Sequence, residues 1–374
     1  MNLNGKRILQ IHDGGLSPGY TSYAMTLTEE AEACGAQSWA ANEGFRSLTG
    51  DHHELPRVVH LNLRGREEGA TEYITPSVTM YRRIGEAGSE FRSERYPEFK
   101  DVAKQKQAAQ FVLENNFDAV VAVGGDGTLK GVKGMAKHLP AEMPIGFLNV
   151  STDSDITGDM SMGFLTCAEE GARVARGLFE DGYTHKRIYI LEMMGNRSGQ
   201  HALHSGIAAG AHLIFLPMFD ISNDIWQAVA DRLSRERHGL IVVAEGFMRQ
   251  QRKQLPDAPN ASTWVKQRLA ECGLENSPGR RVIAEPYSRY IRGIQPLFIE
   301  RKYASLKAHL LMQAFGQDKT RIMPYYQGAA DVGVRGFDNL STYNRVDRAY
   351  IHLIDRLHIP ALHEYLHRFA DDPG

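Results

Sequence analysis

Short apolar runs alternate with longer amphipathic stretches along most of the chain. Runs rich in Val, Ile and Leu at 7–11, 119–123, 145–150, 187–192, 213–216, 240–244 and 282–284 have the length and near-continuous apolar character of strands buried on both faces. Between them, 21–34, 101–115, 168–179, 223–236, 262–272 and 303–315 carry the apolar repeat of helices packed on one side. This alternation predicts parallel sheet covered by helices, the α/β class. One doubly wound sheet of 374 residues would be large, so the prediction is two lobes of largely parallel sheet flanked by helices, with a cleft between them. The expected division is 1–150 and 151–374, with the chain crossing back between lobes near 280–330. Residues 46–98, rich in Arg, Glu, Gly and His, are the least regular and read as loops and short elements. Residues 343–367 read as two helices joined at Pro360. No internal repeat, low-complexity tract or heptad pattern is present.

Charge narrows the function. Lys and Arg number 43 against 45 Asp and Glu, a net charge of −2, without the basic excess usual in general binders of nucleic acid or anionic membrane. Mean hydropathy is −0.37, and no uninterrupted apolar stretch would cross a bilayer. The first residues lack the apolar core of a signal peptide, so a soluble, cytoplasmic protein is expected. Cys34, Cys167 and Cys272 are scattered without metal or disulfide-framework spacing. The 36 glycines matter through their placement.

The strongest local signal is Gly124-Gly125-Asp126-Gly127-Thr128, which follows an apolar strand and opens a helix. Glycines there let backbone N–H groups approach phosphate oxygens, and the helix N-terminus adds a favourable dipole. An acid inside such a loop would repel a phosphate, so Asp126 makes sense mainly as a Mg²⁺ partner, direct or through water. The competing reading is a tight turn with an Asp N-cap. A second loop, Asp13-Gly14-Gly15-Leu16-Ser17-Pro18-Gly19, follows the first strand and by itself reads equally well as an ordinary βα turn. Ser151-Thr152-Asp153-Ser154-Asp155 follows the strand ending at Val150. Its two carboxylates can divide into base and metal partner, although alone such a loop reads as Asx turns.

Taken together, these pieces resemble the phosphofructokinase A-type family, ATP- or pyrophosphate-dependent, over roughly residues 6–330. The order is a GG-x-x-PG loop at Gly14–Gly19, then Arg95-Tyr96-Pro97-Glu98-Phe99, then GGDGT at Gly124–Thr128. The Ser151–Asp155 loop follows, then a strand from Arg187 to Met194-Gly195, with Gly199, Gly206, Gly210 and Leu216-Pro217 beyond it. Tyr290-Ile291-Arg292 resembles a late sugar-phosphate segment.

The resemblance implies a phosphofructokinase-like fold whose first lobe binds donor phosphate and metal and whose second binds sugar. It implies Mg²⁺-dependent phosphoryl transfer from ATP to a ketose phosphate hydroxyl, a step of glycolytic carbohydrate metabolism, by a homodimer or homotetramer. Asp153 is the implied general base, with Ser151 beside it. Asp126 and Asp155 would place Mg²⁺. Gly14 and Gly15 would stabilise the transferred group, while Arg95, Gly125, Gly127 and Thr128 would bind the donor. Met194 and Gly195 would line the sugar. Arg187, Arg281 and Arg292 would clamp the sugar's phosphate, some from a neighbouring subunit, and Tyr290 would contact the sugar. Gly127 leaves room for a nucleotide α-phosphate where an Asp would favour pyrophosphate, so ATP is the expected donor.

Departures from the pattern gather in the acceptor half. Asn196 stands where an Arg is expected, with Arg197 next to it. Met218 stands where a hydroxyl-binding Glu is expected, and the nearest carboxylate is Asp220. Val150 replaces a donor-determining residue, Lys130 suits either donor, and Tyr287 competes with Tyr290 for the sugar contact. The alternatives are a pyrophosphate-dependent enzyme, a kinase of the NAD or diacylglycerol type suggested by Gly163-Phe164-Leu165-Thr166, and a non-catalytic sugar-phosphate-binding paralogue. The position of the Asp153 loop before that run opposes the second alternative. The retained carboxylates oppose the third.

Overall fold

The computed structural model describes residues 2–53, 56–63, 77–79, 84–287, 289–328, 331–341 and 346–371. Parts of the irregular 46–98 region, and the start of the predicted 343–367 helix pair, lie outside the described residues.

The chain opens with β1 (Arg7–His12), α1 (Tyr20–Ala33), β2 (Gln37–Ala41), α2 (Phe45–Leu48), β3 (Val58–Asn62) and β4 (Ser77–Thr79). It continues with α3 (Val102–Glu114), β5 (Ala119–Gly124), α4 (Asp126–Met135), β6 (Ile145–Asn149), α5 (Phe164–His185) and β7 (Arg187–Met193). Next come α6 (Gln200–Ala209), β8 (Leu213–Phe215), α7 (Asn223–Ser234), β9 (Gly239–Ala244), α8 (Arg249–Lys253), α9 (Ala261–Glu271) and β10 (Arg281–Tyr287). The last are α10 (Phe298–Gly316), β11 (Ile322–Gly328), β12 (Asp331–Gly336) and α11 (Pro360–Asp371).

Two compact units result. The first comprises Met1–Ser151, Ile156–Thr166 and Arg292–Thr342; the second comprises Thr152–Asp155, Cys167–Ile291 and Tyr343–Gly374. Segment 156–166, assigned by sequence to the second lobe, therefore belongs to the first. Its tie is the pairing of Met162 with Val150 and the bond from its amide to the Asn149 carbonyl.

In the first unit the strands run β12-β11-β6-β5-β1-β2-β3-β4 across one sheet. Its centre, β6, β5, β1 and β2, is parallel, while β2 with β3 and β11 with β12 are antiparallel. Alternation along β1 and β5 divides the core between the two faces. Ile8, Ala119 and Val121 pack with Leu27 of α1 and Leu311 of α10. Leu9, Ile11, Val120 and Ala122 pack with Phe111 of α3 and Val132 of α4. The second unit carries an all-parallel sheet in the order β10-β7-β9-β8. Its core runs from Ile188–Leu191 and Leu240–Val243 to Trp226 of α7 and Trp264 of α9.

Among the described residues no helix is long and apolar enough to cross a membrane. The expected helix pair near the C-terminus is corrected: residues 348–353 form a 3₁₀ turn, and Pro360 opens α11 instead of joining two helices. Its fixed φ and missing N–H suit the first helical position.

Candidate functional site

In the first unit, β1 and β5 are hydrogen-bonded parallel neighbours, so the loops that follow them leave the same sheet edge together. Asp13 ties the two loops. Its amide donates to the Val123 carbonyl at 3.0 Å. The Thr128 hydroxyl donates to the Asp13 carbonyl at 2.9 Å and lies 3.2 Å from its carboxylate. Tyr20 Oη donates to the same carbonyl at 2.7 Å, and the Phe45 amide approaches the carboxylate at 3.5 Å. Asp13 is only 6% exposed. Burial pushes its carboxyl up to about 7, against the opposing effects of the Thr128 hydroxyl, the Phe45 amide and the Arg46 charge. In sequence, Asp13 shows only as the start of a glycine loop. The Thr128 hydroxyl is turned onto Asp13.

The packing explains Gly124. A Cβ there would lie 2.2 Å from Thr128 Oγ1 and 2.3 Å from the Asp13 carbonyl oxygen, so a side chain would push the loops apart. Gly125 caps α4, and a Cβ on it would touch Ser151 at 3.6 Å, so these two predicted site residues are neighbours. At Gly127 a Cβ would meet nothing within 4 Å, and the space beside the first turn of α4 is open. Asp126 lies in that turn, part-exposed, with Lys130 Nζ at 2.8 Å.

Positive charge gathers at Gly15. A Cβ there would lie 2.9 Å from Arg292 Nη1 and 3.6 Å from Arg95 Nε. Among the described residues neither guanidinium has a carboxylate partner within 4.0 Å; the nearby Glu94 pairs with Arg46 at 3.8 Å. The Gly14 amide donates to the Glu94 carbonyl at 3.2 Å. Arg292, expected at the sugar's phosphate, thus stands at the first glycine loop.

In the second unit the predicted residues lie on segment 152–155 and at strand ends. Thr152 Oγ1 donates to the Asp153 carboxylate at 2.8 Å, and Ser198 Oγ donates to the Asp153 carbonyl at 2.6 Å. Asp155 belongs to the same segment. Met194 is buried beside Cys167 and Ile291, with Tyr287 packed against them. Gly195 begins a turn closed by the Ser198 amide at 2.9 Å. Tyr290 is 77% exposed and stacks on Tyr287 with centroids 5.7 Å apart. Arg187 donates to Asp181 at 2.8 Å and to Tyr189 Oη at 3.2 Å. Arg281, its register partner on edge strand β10, lines an open pocket of about 750 Å³ with Lys266 and Arg280.

Glu245, just past β9, is a residue that sequence reasoning misses. Its amide donates to the Met193 carbonyl at 2.8 Å, and its carboxylate accepts the Asn196 amide at 2.8 Å with Arg249 at 3.5 Å. A carboxylate therefore faces the Gly195 turn. Met218 packs against the apolar core, and Asp220 accepts from Gln251 at 3.3 Å. The signal available in sequence is an acid directly following an all-apolar parallel strand, a position that commonly faces ligand.

The fold is that of an α/β protein of parallel-dominated sheets, with glycine turns that follow parallel strands and open helices. A family model described as Phosphofructokinase matches residues 7–315, and the chain belongs to that family. An ATP-dependent 6-phosphofructokinase of Streptococcus agalactiae is 30% identical over 247 residues, which is 65% of this chain and 66% of the relative. The chain thus matches just under two thirds of the length of that curated relative. Solved structures share the fold. A phosphofructokinase of Pichia pastoris in the T-state has a TM-score of 0.74 at 21% identity, covering 98% of this chain and 39% of that one. A pyrophosphate-dependent phosphofructokinase of Marinobacter aquaeolei has a TM-score of 0.70 at 15% identity, covering 98% and 91%.

Proposed function

We propose that the protein is a Mg²⁺-dependent kinase that transfers the terminal phosphoryl group of ATP to a hydroxyl of a ketose phosphate, as a 6-phosphofructokinase does. The observation that carries this reading is the pair of guanidiniums at Gly15, Arg95 and Arg292, without carboxylate partners among the described residues and beside the glycine loops of the first unit. Two cations held close together repel unless an anion joins them, and a phosphoryl chain is the anion such a cradle suits. The named activity of the Streptococcus agalactiae relative supports the same reading.

The roles follow. Arg95, Arg292 and the Gly15 amide hold the transferring group, and the first-turn amides of α4 face the remaining phosphates. Open space at Gly127 admits a nucleotide's third phosphate. Among the described residues no three His, Cys, Asp or Glu side chains converge on a possible metal position. Mg²⁺ fits that donor set, because it commonly takes one or two carboxylates and completes its shell with phosphate oxygens and water. Asp126 and Asp155 would hold it, and when bound it neutralises charge on the donor phosphates. Asp153 takes the proton from the acceptor hydroxyl as its oxygen bonds to phosphorus and the bond to the leaving nucleoside diphosphate breaks. Glu245 accepts hydroxyl groups of the sugar at the Gly195 turn. The working form is a cytoplasmic homo-oligomer.

A phosphoryl-acceptor panel tests the reading, with ATP and pyrophosphate offered separately against sugars and sugar phosphates. Transfer from ATP to a ketose phosphate is expected. Asp153→Asn should lower turnover by at least ~10²-fold while leaving the fold intact by circular dichroism. Near-full activity of that variant, or no transfer to any ketose phosphate, overturns it.

A further inference from the structure

Asp159 and Lys307 form an ion pair sealed from water. Their side chains are 0% and 1% exposed, with contacts of 2.6 and 2.7 Å. Neither residue enters the chemistry proposed above. Lys307 Nζ also donates to the Met160 carbonyl at 3.0 Å, and the Tyr326 amide of β11 donates to the Asp159 carboxylate at 2.9 Å. Met160 returns a bond from its amide to the Tyr326 carbonyl at 3.0 Å.

Two turns earlier on the same face of α10, a second buried charge holds the same stretch of chain. Glu300, 1% exposed, accepts the Leu165 amide at 3.0 Å, the Thr166 amide at 3.3 Å and the Thr166 hydroxyl. The Leu297 amide just before α10 donates to that hydroxyl at 2.9 Å. Segment 159–166 is thereby held at both ends by one helix from more than a hundred residues downstream.

The segment so held is the return limb of an excursion. The chain leaves β6 at Asn149 and comes back beside it, with Val150 bridged to Met162, the Ser151 amide bonded to the Met162 carbonyl at 3.0 Å, and the Met162 amide bonded to Asn149 at 3.0 Å. Between those limbs lie Asp153 and Asp155. Burying two charges is expensive, and a well-packed apolar pair of similar volume often serves stability as well or better. What the ionic pair adds is register, because a one-residue slip of the return limb would strand both charges without partners.

We propose that Asp159 and Lys307, seconded by Glu300, are positioning residues that clamp the return limb and so fix where the Asp153 segment leaves and re-enters the first unit. The clamp itself is a statement about the chain. Its catalytic consequence rests on the reading of Asp153 as the general base.

The test uses the full chain carrying Asp159→Leu with Lys307→Met, which removes both charges together, and separately the isosteric Asp159→Asn, which keeps the fold if the double variant loses it. Amide hydrogen exchange across 152–162 should rise at least ~10-fold in either variant while exchange in β5 stays at the parent rate. With a ketose phosphate acceptor, kcat should fall at least ~10-fold while the dissociation constant for ATP stays within ~2-fold. Unchanged exchange across 152–162 overturns the clamp. Raised exchange with an unchanged kcat overturns the positioning role. If the parent transfers phosphate to nothing, the proposed function fails, and the exchange measurement still decides the clamp.

Discussion

Asp13 shows how a single buried carboxyl can join two loops that are separate features in the sequence. Its native value of about 7 lies above that of an ordinary carboxyl, so the folded protein keeps a proton that the unfolded chain has released. Its contribution to stability is full at low pH and is lost as pH rises through about 7. Between pH 5 and 7 the parent should lose up to about 1.4 kcal/mol per pH unit relative to Asp13→Asn, whose amide oxygen still accepts from Thr128 and Phe45. Urea midpoints for the two proteins at pH 5, 6, 7 and 8 measure this, and parallel profiles would refute it. Gly127 and Glu245 give two further residue-scale predictions. Gly127→Asp puts a carboxylate beside the donor phosphates, so the preference for ATP over pyrophosphate in initial rates should be lost. Glu245→Ala should raise the acceptor KM at least ~10-fold, whereas Met218→Leu, a core substitution, should leave it within ~2-fold. The glycine loops and Asp153 stand out in sequence because their residue types are unusual together. Asp13 and Glu245 do not, because their meaning comes from partners far away in the chain.

At the scale of elements, legibility follows burial. The all-buried β5 and β9 read as continuous apolar runs and are located by sequence almost to their ends. The edge region is harder: β2 mixes Gln, Ser and Trp, and β11 carries Pro, Tyr and Gln, so neither shows a clean period and both form through pairing with neighbours. Helix α6 holds two His, three Ala and one Gly, and is visible in sequence only as the spacing of Gly199, Gly206 and Gly210. Packing between elements makes the glycines of the β5–α4 turn unequal. Gly124→Ala forces a contact against backbone and should cost about 1–3 kcal/mol. Gly127→Ala, in helix with open space around it, should be neutral or gain up to about 1 kcal/mol. Equilibrium urea unfolding of both variants separates the cases, and equal effects would show that the close approach at Gly124 is easily relieved.

For the whole molecule, linear reading offers a division at residue 150 with the chain crossing back between lobes near 280–330, and it gives no sign of the short return at 156–166. The actual partition is interleaved, with 156–166 and 292–342 returned to the first unit by strand pairing and by the buried charges of α10. Interleaving also separates arginines that look alike in sequence. Arg292 stands at Gly15 in the first unit, whereas Arg187 on β7 and Arg281 on the neighbouring edge strand β10 are register partners in the second. Arg281 is exposed there, on a strand with only one described partner. An exposed arginine on an open sheet edge is suited to completing a site on a second copy of the chain, the arrangement that the family resemblance implies for these residues. If activity requires that second copy, specific activity should fall on dilution, in step with loss of the oligomer measured by light scattering. Arg281→Ala should then raise the acceptor KM at least ~10-fold, with the ATP dissociation constant unchanged. In mixtures of Arg281→Ala and Asp153→Asn chains, some hybrid sites would pair an intact Asp153 with an intact Arg281, so activity at low acceptor concentration should exceed the average of the two impaired parents. Full activity in a monomer would remove the need for the second copy and leave Arg281 as an ordinary surface cation.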